Sequence, residues 1–132
     1  MLECSVIILN WNGEAMLRRY LPSVIQYTQL EGVEIVVADN GSTDASLEFL
    51  HSQPVRIIEL GENLGFAEGY NRAIEQVESK YVVLLNSDVE VTSNWLDTLL
   101  NYARAHEEVV AIQPKILSWQ SKEDAIKAGS SE

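Results

Sequence analysis

An α/β fold built on a mostly parallel sheet is what this sequence predicts, and three observations predict it. Strand-like and helix-like segments alternate along the chain, the mark of parallel strands joined by covering helices. Three strand runs stop abruptly in Asn and Asp: residues 6–9 run into Asn10, Trp11 and Asn12, residues 34–38 into Asp39 and Asn40, and residues 81–85 into Asn86, Ser87 and Asp88. The last of these runs has no polar alternation, as expected of a strand buried on both faces.

Residues 3–9 read as the first buried strand. After Asn12-Gly13, residues 14–28 place Met16, Leu17, Tyr20, Leu21, Val24 and Tyr27 three and four apart, an apolar helical stripe. Pro22 inside it predicts a kink or a helix that restarts there. Glu31-Gly32 turns the chain into a second strand at residues 33–38. Gly41-Ser42-Thr43-Asp44 supplies a flexible turn with Ser42 or Thr43 as helix cap, and Leu47, Phe49 and Leu50 lie on the helix beyond, which Pro54 ends. A third strand is expected at residues 55–60. A glycine-bearing loop at 61–69 then enters a helix holding Tyr70, Ala73, Ile74 and Val77. The strand at 81–85 is placed at the centre of the sheet. Thr92 or Ser93 caps a helix through Trp95, Leu96, Leu99, Leu100 and Tyr102, and residues 109–112 return as a further strand. Residues 118–132 are polar, with no strong apolar period beyond Ala125, Ile126 and Ala128. The expected organisation is one domain over residues 1–117 and a polar tail over 118–132.

A chain of 132 residues is long enough to bury a proper core and short for a complete two-substrate enzyme. Its formal charge of −11, with no cluster of Lys and Arg, argues against nucleic acid or an anionic membrane surface as partner. A protein this negative that binds a diphosphate needs a divalent cation to offset the repulsion. Cys4 is the single cysteine, so no disulfide forms within the chain, which fits a reducing compartment. No stretch approaches the roughly 18 apolar residues of a membrane span, and the N-terminus lacks a secretion signal. A cytoplasmic location is the expectation.

In an open parallel sheet, the loops after the carboxyl ends line one crevice, where ligands bind at the switch in strand order. Asn86-Ser87-Asp88 puts two oxygen-bearing side chains one residue apart at that edge, and the Asp88 carboxylate is the hard oxygen ligand that Mg²⁺ or Mn²⁺ prefers. Asp39 ends the second strand, where a carboxylate can accept from a ribose hydroxyl or a base N–H. Asn63, Gly65, Gly69 and Asn71 belong to a loop-to-helix junction whose backbone N–H groups can approach an anion. Trp11 offers a face on which a base can stack. Each cluster taken alone also has a plain structural explanation, as a turn, a helix cap or a half-buried Trp. There is no dinucleotide fingerprint of spaced glycines after the first strand and no Gly-x-Ser-x-Gly elbow, and His51 and His106 lack metal-ligand neighbours.

Taken in order, these clusters resemble the amino-terminal half of a family 2 glycosyltransferase, a group with the GT-A fold, a Rossmann-like three-layer sandwich. Residues 5–12, ending in Asn10-Trp11-Asn12, resemble its opening strand and base-contacting turn. Val36-Val37-Ala38-Asp39-Asn40-Gly41-Ser42-Thr43-Asp44 is similar to its best-marked motif, whose first Asp contacts the nucleoside. Asn63-Leu64-Gly65-Phe66 with Gly69 and Asn71 resembles the loop that closes over the donor in the rhamnosyltransferase-like branch. Leu85-Asn86-Ser87-Asp88 resembles that branch's form of the DXD metal motif.

The resemblance covers residues 5 to about 117. It implies an inverting, Mg²⁺- or Mn²⁺-assisted transfer of a sugar from a UDP- or dTDP-linked donor to a glycan or other hydroxyl acceptor, in bacterial cell-wall or polysaccharide biosynthesis. The implied roles are nucleotide-sugar binding for Asn10, Trp11, Asn12, Asp39, Asn63, Gly65, Asn71, Asn86 and Ser87, and metal ligation for Asp88. Asn86 stands where many members carry Asp, which leaves it a donor contact rather than a ligand. The general base and the acceptor-binding elements are expected beyond Glu132, so the chain reads as a truncated donor-binding half, inactive alone, whose full-length protein is peripheral at the inner face of the membrane. Two alternatives remain. A sugar-phosphate nucleotidyltransferase needs a Gly-rich, Arg- and Lys-bearing loop where this chain has Asn10-Trp11-Asn12-Gly13, and a receiver-like signalling domain needs a carboxylate pair there and a Lys after its last strand, where this chain has Gln113-Pro114-Lys115.

Overall fold

The first strand is one of the two inner strands of the sheet. The computed structural model describes residues 1–107, and their elements in chain order are β1 (Leu2–Asn10), α1 (Glu14–Tyr27), β2 (Val33–Asp39), α2 (Ser46–His51), β3 (Arg56–Glu59), α3 (Phe66–Glu75), β4 (Ser79–Leu85) and α4 (Trp95–Ala105). All strands run parallel in the order β3-β2-β1-β4. The chain therefore winds outward from β1 through β2 to β3, then crosses back to set β4 on the other flank of β1. That reversal makes the gap between β1 and β4 the switch point of the sheet. The described residues divide into two compact units, Met1–Ser93 and one that begins at Asn94.

Successive β1 residues Cys4, Val6, Ile7 and Ile8 are all buried, and since successive side chains point to opposite faces, both faces of the central strand are covered. On one face Ile7, Val36, Ala38, Ile58, Tyr70 and Ala73 form a continuous cluster that seats α3. Burial, reinforced by the nearby charge of Glu3, pushes the Cys4 thiol up to about 11, so it behaves as a small core hydrophobe.

Helix α1 buries Leu17, Tyr20, Leu21 and Val24 of the expected stripe, whereas Met16 is exposed and Tyr27 half-buried at its edges. It runs through Pro22 as one helix, where the sequence predicts a kink or restart. Pro22 is exposed, so its ring and the Arg18 carbonyl that loses a partner lie toward water. The boundaries of β1, β2 and β3 differ by one or two residues from expectation, the usual uncertainty of element ends. The strand expected at residues 109–112 and the tail at 118–132 lie outside the described residues.

Two expectations need correcting. The strand at 81–85 is an end strand of the described sheet, not its centre, and its exposure alternates, with Val82 at 37% and Leu84 at 50%. An unbroken apolar run reports strand propensity but not which strands will flank it. The helix caps also fall elsewhere. Helix α2 starts at Ser46 after Ala45, and α4 follows Asn94 in a left-handed conformation at φ 63°. Neither Ser42 nor Thr43 caps α2, because both are drawn into the turn ahead of it.

Asp44 caps instead. Its Oδ1 accepts from the Ser46 amide at 2.9 Å and from the Ser46 hydroxyl, while its Oδ2 accepts from the Glu14 amide at 3.1 Å, so one carboxylate serves the first residues of two helices. Desolvation pushes the Asp44 carboxyl up, but these donations outweigh it and hold the group below its ordinary 3.8.

Two measurements test this account of the core and the caps. Leu17→Ala is expected to lower unfolding free energy by about 2–5 kcal/mol in chemical denaturation, as a cavity beneath α1 requires. For Asp44 a lowered folded-state value means its contribution is complete above 3.8 and is lost as pH falls through the lower folded value. Asp44→Asn is therefore expected to melt below wild type at neutral pH, with the gap closing on acidification. A pH-independent gap would show that the charge is not what holds the two helix ends.

Candidate functional site

Register places the ends of three strands at one level. Asn10 lies opposite Asp39, Asp39 opposite Glu59, and Ile8 opposite Leu85, so the loops after β1, β2 and β4 all leave from the carboxyl edge. Asn86, Ser87 and Asp88 thus emerge beside the end of β1, across the switch point from Asn10 and Trp11. Asn86 and Asp88 are exposed and Ser87 is half-buried.

The Asp39 carboxylate is 2% exposed and already holds the turn that follows it. Oδ1 accepts from Asn10 Nδ2 at 3.0 Å and from Ser42 Oγ at 2.6 Å, and Oδ2 accepts from the Ser42 amide at 3.0 Å. A carboxylate offers about four lone-pair sites, so capacity for one further donor remains on Oδ2. The Ser42 hydroxyl has spent its only proton on Asp39, so it accepts from Asn10 Nδ2 at 3.2 Å and from the Asn12 amide at 2.8 Å. Those two acceptors fix the Asn10 amide with nitrogen toward Asp39 and Ser42. Its Oδ1 is buried and has no hydrogen-bond partner among the described residues. Asn10 is itself 1% exposed, which makes it the brace of Asp39.

Asn12 ties the first two loops together. Its side-chain oxygen accepts from the Thr43 amide at 2.7 Å and the Asp44 amide at 3.2 Å, and the residue takes φ 49° to do so. Trp11 stands between these two anchored asparagines and is 54% exposed, an indole face held out from a fixed backbone.

The third loop is joined to the second. Asn40 Nδ2 donates to Asn63 Oδ1 at 3.3 Å and to the Gly65 carbonyl at 3.1 Å, and Asn40 Oδ1 accepts from the Leu64 amide at 2.9 Å. Asn63 and Gly65 are exposed, and Gly65 leads into α3 without a side-chain cap. Tyr70 on α3 donates its hydroxyl to the Leu85 carbonyl at 3.0 Å, tying that helix to the end of β4. Burial pushes the Tyr70 phenol above its ordinary 10, so it stays a donor. Asn71 lies on the exposed side of α3, and no bond joins it to the cluster.

The structure thus links Asn10, Asn12, Asp39, Asn63 and Gly65 in one network and sets Trp11 within it. Asn86, Ser87 and Asp88 share the edge by register alone. Sequence reasoning missed Ser42 and Asn40 as site-building residues. The Asp-x-x-Ser spacing of Asp39 and Ser42 marks an Asx-type turn and was a usable signal. Nothing in the sequence pairs Asn40 with a loop 23 residues on.

No group of three or more His, Cys, Asp or Glu among the described residues can hold a metal ion. A single exposed carboxylate such as Asp88 still suits Mg²⁺ or Mn²⁺, which bind through one or two carboxylates and take their other ligands from phosphates and water. Arg18, Arg56 and Arg72 are ion-paired with Glu14, Glu34 and Glu68, which leaves them poor diphosphate partners. No helix among the described residues is long and apolar enough to cross a membrane.

Comparisons with known proteins agree with this architecture. A family model, Glycosyl transferase family 2, matches residues 5–125. An uncharacterized glycosyltransferase of Bacillus subtilis, YfnE, is 32% identical over 110 residues, covering 80% of this chain and 27% of that protein. The N-acetylglucosaminyl-diphospho-decaprenol L-rhamnosyltransferase of Mycobacterium tuberculosis is 29% identical over 124 residues, covering 84% of this chain and 40% of that protein. The chain therefore spans less than half the length of these curated relatives. Among solved structures, Staphylococcus aureus TarS 1–349 in complex with UDP-GlcNAc superimposes with TM-score 0.72 at 24% identity, over 80% of this chain and 32% of that one. The mannosyltransferase PcManGT of Pyrobaculum calidifontis, in complex with GDP-Man and Mn²⁺, gives 0.68 at 20% identity, over 76% and 32%. At these identities the solved structures speak for the fold, and the family match speaks for descent: this chain has the GT-A fold and belongs to glycosyl transferase family 2.

Proposed function

We propose that this chain is the donor-binding portion of a metal-assisted, inverting glycosyltransferase that moves a sugar from a UDP- or dTDP-linked donor to a hydroxyl acceptor, a glycan among the candidates. The observation that carries this reading is the gathering of an exposed Trp11, a braced Asp39 and an exposed Asp88 at one sheet edge, astride the switch between β1 and β4. Family membership displaces the nucleotidyltransferase and receiver-like alternatives.

In this reading Trp11 stacks on the base, and the remaining Oδ2 site of Asp39 accepts one donor from the ribose or the base. Asn10, Asn12 and Ser42 hold Asp39 in place. Asn63 and Gly65 present the loop that leads to α3, while Asn86 and Ser87 add polar contacts beside β4. Asn71, exposed on α3, is assigned to the donor contacts from that helix. Asp88 would hold Mg²⁺ or Mn²⁺, and the bound ion would offset the charge of the departing diphosphate. The general base that takes the acceptor proton is assigned to the part of the longer relatives with which this chain does not align, as is the acceptor site. On that assignment the chain alone binds donor without turning it over. The proposed setting is the cytoplasm, at the inner face of the membrane for the full-length protein, in cell-wall or polysaccharide synthesis.

A thermal-shift titration tests the reading. UDP- or dTDP-sugar with Mn²⁺, at about 100 times its dissociation constant, is expected to stabilise the chain by about 2.7 kcal/mol. Asp88→Ala should leave the ligand-free melting point within about 0.5 kcal/mol of wild type, as for other surface changes, and remove the metal-dependent gain. Absence of any metal-dependent shift with either nucleotide sugar would sink the proposal. Asp39→Asn is expected to cost about 1–3 kcal/mol without ligand, because its new NH₂ faces donors, and to lose nucleotide affinity as well. Full retention of affinity by Asp39→Asn would remove Asp39 from the site.

A further inference from the structure

We infer that Asn40, together with Gly41, is a positioning residue that docks the 61–65 loop onto the end of β2 and thereby sets the affinity for nucleotide diphosphate, without touching the ligand itself. The inference rests on the donor-binding reading above. All three side-chain bonds of Asn40 go to that one loop, to Asn63, Leu64 and Gly65, and Asn40 is 2% exposed. Among the described residues, no other side chain outside the loop bonds to residues 61–65.

The surrounding glycines are shaped to this contact. Gly41 has φ +80°, and a Cβ there would sit 2.7 Å from the Cα and carbonyl carbon of Glu62 and 2.9 Å from the Asn63 nitrogen, so the two backbones lie against each other. On the opposite side, a Cβ on Gly69 would meet the Leu9 side chain at 2.9 Å and Asn40 Nδ2 at 3.2 Å. The Asn40 amide therefore fills a slot between the β2 turn, the loop and α3. The loop it fixes carries Asn63 and Gly65 and ends at the uncapped first turn of α3, so docking decides where those amide groups stand relative to Asp39.

The test is calorimetric titration of the full chain with UDP and with dTDP, each with Mn²⁺, alongside amide hydrogen exchange. Asn40→Ala is expected to weaken nucleotide binding by about tenfold or more, the scale of one or two net hydrogen bonds. Exchange at the Leu64 and Gly65 amides should rise in the same variant while β2 amides stay protected. Faster loop exchange with unchanged affinity would overturn the inference. Asn40→Asp keeps the volume and the acceptor for Leu64 but withdraws both donations, and it serves where Asn40→Ala also loosens β2. Wild-type affinity in Asn40→Asp would likewise overturn it. Failure of the wild type to bind either nucleotide with Mn²⁺ would instead remove the donor-binding reading on which the inference stands.

Discussion

One buried carboxylate sets the geometry of the whole carboxyl edge. Asp39 is taken out of water, and the cost of doing so is offset only because Asn10 and Ser42 aim three donors at it. That demand fixes the turn after β2, and the turn in turn fixes Asn12, which receives the Thr43 and Asp44 amides. The backbone on either side of Trp11 is thereby immobilised by bonds made 30 or so residues away. The backbone that carries the Trp11 ring thus needs no ordering by a ligand, the sense in which a site is preorganised.

The sheet topology supplies the rest. Because β1 is central and β4 returns to its free flank, the Asn10 and Asp88 loops flank the reversal in strand order, where an open α/β sheet leaves a crevice. The edge combines this opening with acidity. A chain of net charge −11 whose Arg18, Arg56 and Arg72 are committed to glutamates has little positive charge to set against a diphosphate, and a cation at Asp88 is the economical remedy.

Legibility from sequence followed the range of the forces involved. The Leu17, Tyr20, Leu21 and Val24 stripe and the strand ends at Asn10 and Asp39 were readable, because periodicity and abrupt changes of polarity are local signals. Strand order was not. The run at 81–85 has the composition of a central strand, yet the inner places go to β1 and β2, each of which pairs on both sides. Pro22 misled for a related reason, since the cost of an internal proline depends on whether it faces water. Within the site, Asp39 could be singled out by its position, but the internal bonds that occupy most of its carboxylate could not, nor could the capping by Asp44 in place of Thr43. Asn40 was invisible as a loop partner, since its three bonds depend on how β2 and α3 come together in space.

The direction of the proton on Ser42 carries a last consequence. Because that hydroxyl gives its hydrogen to Asp39, every bond in the cluster has a set polarity, and positions 10, 39 and 42 cannot drift independently. Even an isosteric exchange at position 10 would bring two acidic groups face to face about 3 Å apart, and like charges that close share a proton rather than both ionise. In any lineage that rebuilt this corner, the three positions would have to change in concert, so the turn behaves as a single heritable unit rather than as three side chains.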